Sequence, residues 1–177
     1  PSEGATALRH RVAFLRRVRP DLGLPDLSDL GALLPALCVG LRSIKQLRAL
    51  DLAQALRDRL DWKQRQALDT LAPTRMALPT GRTAAVSYDP PDQPPVVRAR
   101  IQQMFGCAQS PRVAGEPVVL HLLAPNNRPA QVTRDLAGFW SGSYADVRKD
   151  LRGRYPKHAW PEDPLSARPQ DSPRRRR

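Results

Sequence analysis

The sequence is poor in the residues on which several classes of protein depend. Only two of its 177 residues are cysteine, Cys38 and Cys107, and they form no CxxC pair, so neither a disulfide framework nor a cysteine metal site is predicted. No apolar run approaches the roughly 18 residues of a membrane-crossing helix, and the N-terminus lacks the pattern of a secretory signal. We therefore expect a soluble, cytoplasmic chain without membrane insertion. Because it begins at Pro1 rather than at methionine, we also expect it to be part of a longer protein.

Motifs for catalysis and metal binding are also missing. The sequence contains no GxxxxGK[ST] string, in which backbone N–H groups surround a phosphate. Its three histidines, His10, His121 and His158, lack the HxxxH or HExxH spacing of a zinc site. The adjacent carboxylates Glu162 and Asp163 lie in a proline-rich segment, which does not provide the dry, rigid pair that acid–base catalysis requires. These residues predict no catalytic group, no metal and no cofactor, and they leave open whether the protein is an enzyme.

Proline content divides the chain near Pro73. Residues 1–72 contain 4 of the 19 prolines and residues 73–177 contain the other 15. In the first part, an acceptor side chain is followed three positions later by Gln, as in a capping box, at Ser43, Asp51 and Asp61, which predicts three short helices. An amphipathic stripe, Leu8, Val12, Leu15 and Val18, predicts an earlier helix that ends at Pro20. We expect a compact helical bundle over residues 1–72.

The second part has shorter apolar runs. Arg75 to Pro79 and Arg82 to Tyr88, joined by Thr80-Gly81, predict a β-hairpin, and Val118 to Leu123 predicts a buried strand. Helices are expected over Val96 to Phe105, after Thr133 and after Ser143. The fold class is therefore α+β: a helical lead-in bundle, a small α/β module over residues 73–165 with a hairpin, a further strand and packed helices, and a disordered Pro/Arg-rich basic tail over 166–177.

Positive charge is the feature most relevant to binding. The net charge is +12, and 25 of the 29 basic residues are arginine. Arginine suits phosphate through its planar donor fork, although arginine richness also follows from genome composition. In residues 148–160, cations alternate with two aromatics that either stack on bases of a single strand or anchor an extended tail. The candidate nucleic-acid-binding residues are Arg128, Arg134, Arg148, Lys149, Arg152, Arg154, Tyr155, Lys157 and Trp160.

Several short motifs indicate a family. They are Leu78–Gly81, Gln103–Gly106, Gln131–Ala137, Phe139–Trp140, Gly153–His158 and Trp160–Pro164. With these motifs the sequence resembles the C-terminal region of the HrpB family of bacterial, DEAH-type, superfamily 2 ATP-dependent RNA helicases. The resemblance is dense over residues 43–164. Residues 1–42 resemble the family only as a leucine-rich helical lead-in, and the tail after 165 does not resemble it.

The resemblance implies a parent chain with two RecA-like domains that use ATP and Mg²⁺ and move along RNA. No residue here matches the family's Walker, DEAH or arginine-finger motifs, so no catalytic role is transferred to this chain. The implied partners are RNA or another single-stranded nucleic acid and the helicase core of the same parent chain. Two functional hypotheses remain: an accessory region that contacts RNA or regulates the motor, and a protein-interaction module that recruits the helicase to a protein partner through the surface around Trp160.

Overall fold

The computed structural model describes residues 2–171, and the chain forms two compact units. One unit comprises Pro1–Pro73 and Tyr88–Pro94, and the other comprises Thr74–Ser87 and Pro95–Arg177. The loop over 88–94 belongs to the helical unit because the Tyr88 ring lies 5.2 Å from that of Phe14 and its hydroxyl donates to the Pro73 carbonyl at 2.7 Å. These contacts between distant residues explain why composition alone does not assign the loop.

The helical unit begins with α1 (Glu3–Val18), followed by a 3-10 turn (Pro20–Leu22), α2 (Leu30–Leu37), α3 (Ile44–Arg48), α4 (Leu52–Arg57) and α5 (Trp62–Leu71). The three predicted helices are confirmed, since the side chains of Ser43, Asp51 and Asp61 accept from the backbone N–H three residues on. Only Asp61 forms the complete capping box, in which the side chain of Gln64 also accepts from the Asp61 N–H at 3.1 Å. Local capping therefore determines where these helices begin.

The core of the helical unit lies between α1, α4 and α5. The predicted stripe on α1 is confirmed at Leu8, Val12 and Leu15, which are buried with Phe14. One charged side chain enters this core: Arg11 is 8% exposed and donates to the carbonyls of Ala72 and Leu68 at the end of α5. The buried guanidinium thus supplies a donor to the Ala72 carbonyl at the end of the helix and a second donor to the Leu68 carbonyl, which also accepts from the Ala72 N–H at 3.0 Å.

The predicted bundle does not extend to α2 and α3. Neither helix buries a residue, although α2 has the sequence LGALLPAL. On α3, Ile44 is 71% exposed, and Leu47 on the same helix is exposed as well. The helical period correctly placed these apolar residues on one side, but the period does not say whether the chain itself provides a surface to cover them.

The second unit is built on a five-stranded mixed sheet with the order β1-β2-β3-β6-β7. Its strands are β1 (Arg75–Ala77), β2 (Thr83–Ser87), β3 (Val96–Arg100), β6 (Val119–Leu123) and β7 (Pro129–Thr133), and β4 (Arg112–Val113) with β5 (Glu116–Pro117) forms a separate small hairpin. The predicted hairpin is confirmed as β1 and β2, and the predicted buried strand is confirmed as β6. β3 and β6 pair in parallel, and the other neighbours are antiparallel.

The helix predicted over Val96 to Phe105 is wrong. Residues 96–100 form β3 and Ile101–Met104 form a 3-10 turn. Val97 and Ala99 face the core while Arg98 is exposed, which is the two-residue alternation of a strand. The same residues also satisfy a helical period, and pairing with β2 and β6 decides between the two patterns.

Two helices complete the second unit, α6 (Leu136–Ser141) and α7 (Tyr144–Arg154). Asp135, rather than the expected Thr133, caps α6 by accepting from the Gly138 N–H at 2.9 Å, and Thr133 ends the unpredicted strand β7. α7 continues through Gly153, whose backbone is not left-handed, and ends at Arg154. An aromatic cluster packs these helices together; it consists of Phe105, Phe139, Trp140 and Tyr144, with ring centroids 4.9 to 6.5 Å apart.

The tail was expected to be disordered from residue 166. Within the described part, however, Gln170 donates its N–H to the Gln102 carbonyl at 2.8 Å. The Asp171 carboxylate accepts from Gln103 at 2.8 Å and pairs with Arg82 at 2.7 Å. Polar contacts rather than apolar burial thus attach residues 166–171, which explains why a criterion based on apolar content missed them. The remaining part of the predicted tail, 172–177, lies outside the described residues.

Candidate nucleic-acid interface

Three of the predicted binding residues converge on one groove. The β6–β7 turn and α7 enclose about 310 Å³ lined by Arg128, Arg154 and Tyr155, together with Asn126 and Asp150. Arg154 pairs with Asp150 one helical turn earlier at 3.1 Å. Two guanidinium groups and a half-buried aromatic ring thus line a concave surface on which one carboxylate limits the positive charge.

The turn between β6 and β7 positions Arg128. Asn127 has a φ of 64°, a left-handed conformation that Asn adopts more readily than most residues. The Asn127 N–H donates to the Ala124 carbonyl at 2.9 Å, and the Arg128 N–H donates to Asn126 Oδ1 at 3.1 Å. With its backbone fixed in this way, Arg128 keeps its side chain exposed beside the groove.

Three further predicted cations, Lys149, Arg152 and Lys157, are exposed on or just after α7. They do not line the groove, but they place positive charge on the same helix and the segment that follows it. Such charges act on a phosphate chain mainly through the long-range field rather than through a shaped site.

Arg148 and Trp160 are instead engaged in packing. Arg148 Nε donates to the Trp160 carbonyl at 2.8 Å, and its Nη2 lies 3.2 Å from a Glu162 carboxylate oxygen. Trp160 is 8% exposed, and its indole N–H donates to the Tyr155 carbonyl at 2.9 Å. This geometry agrees with the alternative in which Trp160 anchors the extended segment, because a buried indole offers no face to a base.

Arg134 lies away from the groove. It follows β7, whose five residues separate it from Arg128, a distance of about 20 Å along an extended chain. Its carbonyl accepts from the Ser110 hydroxyl at 2.6 Å, while its side chain is exposed. The structure therefore does not bring Arg134 together with the residues of the groove.

A second cluster of basic residues was missed by the sequence analysis. Arg82, Arg98 and Arg100 line a separate concavity of about 350 Å³ with Gln103, Asn127 and Asp171, which we call the arginine basin. Arg98 and Arg100 alternate with buried Val97 and Ala99 on β3. The alternation of buried and exposed residues was the signal that could have placed Arg98 and Arg100 on one face of a strand. In the predicted helix the two arginines are instead about 200° apart.

One titratable side chain, His158, is affected by the positive charge of the basin as well as by its own burial. Burial and the neighbouring positive charge of Arg100 hold the pKa of His158 below its ordinary 6.5. Its Nδ1 is buried and has no hydrogen-bond partner among the described residues. His158 is therefore held neutral, and it adds no positive charge at neutral pH.

Residues 2–171 lack two other features that would indicate a function. No group of three or more His, Cys, Asp or Glu in this part of the chain is placed to hold a metal ion. None of the helices described there is long and apolar enough to span a membrane.

Comparison with known proteins identifies the family. A family model described as ATP-dependent helicase C-terminal, HrpB_C, matches residues 33–164. The ATP-dependent RNA helicase HrpB of Escherichia coli (strain K12) is 42% identical over 174 residues, which cover 93% of this chain and 21% of that protein. The similarity thus extends beyond residues 43–164, to which the sequence motifs had limited it.

Two crystal structures are also similar. The E. coli DExH-box NTPase HrpB has a TM-score of 0.88 at 42% identity, covering 96% of this chain and 22% of that one. The Escherichia coli DEAH/RHA helicase HrpB has a TM-score of 0.69 at 41% identity, covering 90% and 21%. This chain therefore spans about a fifth of the length of these relatives. The chain belongs to the HrpB family, and it corresponds to the C-terminal region of that ATP-dependent helicase.

Proposed function

We propose that this chain is the accessory region of a cytoplasmic ATP-dependent RNA helicase and that it binds single-stranded RNA weakly beside the motor. The main support is the groove in which Arg128, Arg154 and Tyr155 converge. Arginine contacts phosphate and an aromatic ring stacks on a base, which is the usual combination in proteins that bind single strands without sequence preference. The relative from E. coli is named as an RNA helicase, which favours RNA as the ligand.

Binding at this groove should be weak and electrostatic. Arg154 is already paired with Asp150, so a phosphate must compete with a carboxylate for that guanidinium. Since Trp160 is buried, Tyr155 is the aromatic ring available in the groove. A few phosphate contacts and one stacked base are sufficient for an accessory region that keeps RNA near a motor but lets it slide.

This proposal assigns ATP and Mg²⁺ to the rest of the parent chain. The sequence has no phosphate-binding GxxxxGK[ST] loop, and residues 2–171 contain no cluster of potential metal ligands. We therefore derive no step of ATP hydrolysis from these residues.

RNA binding can be tested by fluorescence anisotropy of a labelled single-stranded RNA at several salt concentrations. The chain should end at Pro173, so that the four terminal arginines do not contribute. Each phosphate neutralised on a single strand contributes about 0.7 to the slope of log affinity against log salt. Replacing Arg128 and Arg154 with Gln should therefore lower the magnitude of that slope by about 1.4 and weaken binding at low salt.

The matched control replaces Arg59 and Lys63 with Gln. Both are exposed cations of the helical unit, so this variant loses the same charge at residues that do not line the groove. Equal weakening in the two double variants would mean that net charge alone attracts RNA, and the groove would be rejected. No binding by the unmodified chain, even at low salt, would reject the RNA-binding function itself.

The exposed apolar surface of the helical unit favours a second role, in which this region packs against the helicase core of its own parent. Leu34 on α2, Val39 just after it, and Ile44 on α3 are all exposed, and neither helix buries a residue. Large exposed apolar side chains that gather on one part of a surface are typical of a contact with another protein segment. The occupant we propose is the parent chain, because nearly four fifths of each relative lies outside the matched region. By contrast, Trp160, on which the predicted recruitment surface is centred, is itself buried.

Hydrogen exchange of the amides of α2 and α3 tests this contact. They should exchange more slowly in the full-length helicase than in the isolated chain, and Leu34→Glu should remove most of that protection in the full-length protein. The amides of α5, which is already packed, serve as the internal control. If the α2 amides exchange equally in the full-length helicase and in the isolated chain, the contact with the helicase core is rejected. The contact is also rejected if the isolated chain forms a dimer that protects these amides as much as the full-length helicase does.

A further inference from the structure

We propose that the arginine basin is a binding site for a phosphate group and that the Asp171 carboxylate occupies it in place of the phosphate. The site lies at the end of β3 and is separate from the groove of Arg128 and Arg154. Its existence does not depend on the RNA-binding function. Only the identification of the phosphate with an RNA phosphodiester rests on that proposed function.

Three segments supply the donors of the basin. Arg82 comes from the β1–β2 turn, Arg98 and Arg100 come from β3, and Gln103 comes from the 3-10 turn that follows. Arg100 is held in place because its Nε donates to Asn127 Oδ1 at 3.0 Å. The donors therefore converge from a sheet and its connections, and they are partly positioned before any ligand binds.

Asp171 already makes the contacts expected of a bound anion. Its carboxylate lies 2.7 Å from Arg82 Nε and accepts from Gln103 Nε2 at 2.8 Å. The backbone carbonyl of the same residue accepts from Arg100 Nη1 at 3.2 Å. Asp171 thus shows that the basin binds an oxyanion through two side chains at once, and the Asp171 side chain is 23% exposed, so the site is open to solvent.

Charge at the basin exceeds what Asp171 neutralises. The lining contains three arginines and one carboxylate, which leaves an excess of two positive charges. Arg98 is exposed at the basin and does not contact Asp171 in any of the hydrogen bonds described above. Phosphate offers more acceptor oxygens than a carboxylate, and the planar donor fork of arginine matches them well. A phosphate group can therefore engage Arg98 as well as the donors that Asp171 uses.

The test compares binding of inorganic phosphate by the full 177-residue chain and its variants, at constant ionic strength. Binding is followed from the NMR signals of the arginine Nε–H groups. Asp171→Asn removes the competing charge and should strengthen phosphate binding about threefold, whereas Arg98→Gln should weaken it about threefold, as for contacts between partly exposed charges. Asp92→Asn and Arg59→Gln make the same charge changes at exposed positions of the helical unit and should have little effect.

A second series uses labelled single-stranded RNA with the same variants and identifies the source of the phosphate. Stronger RNA binding by Asp171→Asn supports a phosphodiester occupant, whereas a change confined to inorganic phosphate supports a free phosphate. Equal phosphate binding by Asp171→Asn and Asp92→Asn would overturn the proposal, as would unchanged binding by Arg98→Gln. Variants of Arg128 and Arg154 should leave the phosphate response unaltered, so failure of the groove and failure of the basin are distinguishable.

Discussion

Arg11 should contribute more to the stability of the helical unit than any exposed charge. Its Nε donates to the Ala72 carbonyl at 2.8 Å, and its Nη2 lies 3.3 Å both from the Leu68 carbonyl and from Asp69 Oδ1. Replacing Arg11 with Met retains the aliphatic part of the side chain and removes every donor. The Ala72 carbonyl then loses its buried partner, whereas the Leu68 carbonyl keeps the bond from the Ala72 N–H, and α5 loses the polar contacts that link it to α1.

The expected loss follows from the type of each contact. A hydrogen bond from a charged donor contributes about 1.5–3 kcal/mol, and the Ala72 carbonyl, once it has lost the Arg11 donor, retains its desolvation cost. The Asp69 contact adds little, because that carboxylate is half exposed and also pairs with Arg57. We therefore expect Arg11→Met to lower the free energy of unfolding of the helical unit by about 2–4 kcal/mol.

Hydrogen exchange of the α1 and α5 amides measures this loss within the helical unit, and urea unfolding followed by helical circular dichroism gives an independent value. Asp69→Asn is the matched comparison, since it removes the ion pair but leaves the bonds of Arg11 to the two carbonyls. That variant should lose about 1 kcal/mol or less. An Arg11→Met loss below about 1 kcal/mol, or one equal to that of Asp69→Asn, would refute the assignment of stability to the carbonyl contacts.

Three further predictions concern individual side chains. Tyr144→Phe should cost about 1 kcal/mol in thermal unfolding, because the Tyr144 hydroxyl donates to the Pro161 carbonyl at 2.8 Å. Burial raises the pKa of Tyr144 from 10 to about 12, so the stability that its neutral hydroxyl contributes should be lost as the pH rises through that interval. Phe should reduce this loss without abolishing it, because burial also raises the pKa of Tyr88. Since the pKa of His158 lies below 6.5 in the folded protein, this side chain takes up a proton more readily in the unfolded chain when the pH falls below 6.5. The free energy of unfolding measured in urea should therefore fall on acidification, and it should fall less in His158→Gln. Asp61→Ala should cost about 1 kcal/mol and speed amide exchange in the first turn of α5, whereas unchanged exchange would show that the capping box is not stabilising.

The elements that the sequence predicted correctly depend on local contacts. Ser43, Asp51 and Asp61 each cap a helix through a backbone N–H three residues on, so the start of each helix is visible in a short stretch of sequence. β3 and β7 depend instead on pairing with β6, which lies 23 residues after β3 in the register of Val96 and Val119. A short segment such as 96–105 fits two periods, and only the partner strand selects one of them.

The candidate site was predictable to a smaller extent. Arg128 and Tyr155 were identified from their residue types, but nothing in the sequence predicts that the β6–β7 turn and α7 bring them together. For Trp160 the sequence left two roles open, stacking on a base and anchoring the extended segment. Its packing favours anchoring, because its indole N–H donates to the carbonyl of Tyr155, five positions earlier. The exposure of α2 was not predictable, since an amphipathic pattern shows which side needs covering but not which molecule covers it.

The turn between β6 and β7 links the two cationic sites. Parallel pairing aligns Arg100 with Leu123, so the turn that follows Leu123 begins beside the end of β3. Within that turn Asn127 lines the arginine basin, whereas Asn126 and Arg128 line the groove. The turn reverses the chain between Ala124 and Arg128, with Asn127 in a left-handed conformation, so consecutive residues of the turn line different sites. Strand register therefore brings basic residues that lie far apart in the sequence to the two sites that share this turn. This arrangement explains why no single basic segment of the sequence defines the surface on which we expect RNA to bind.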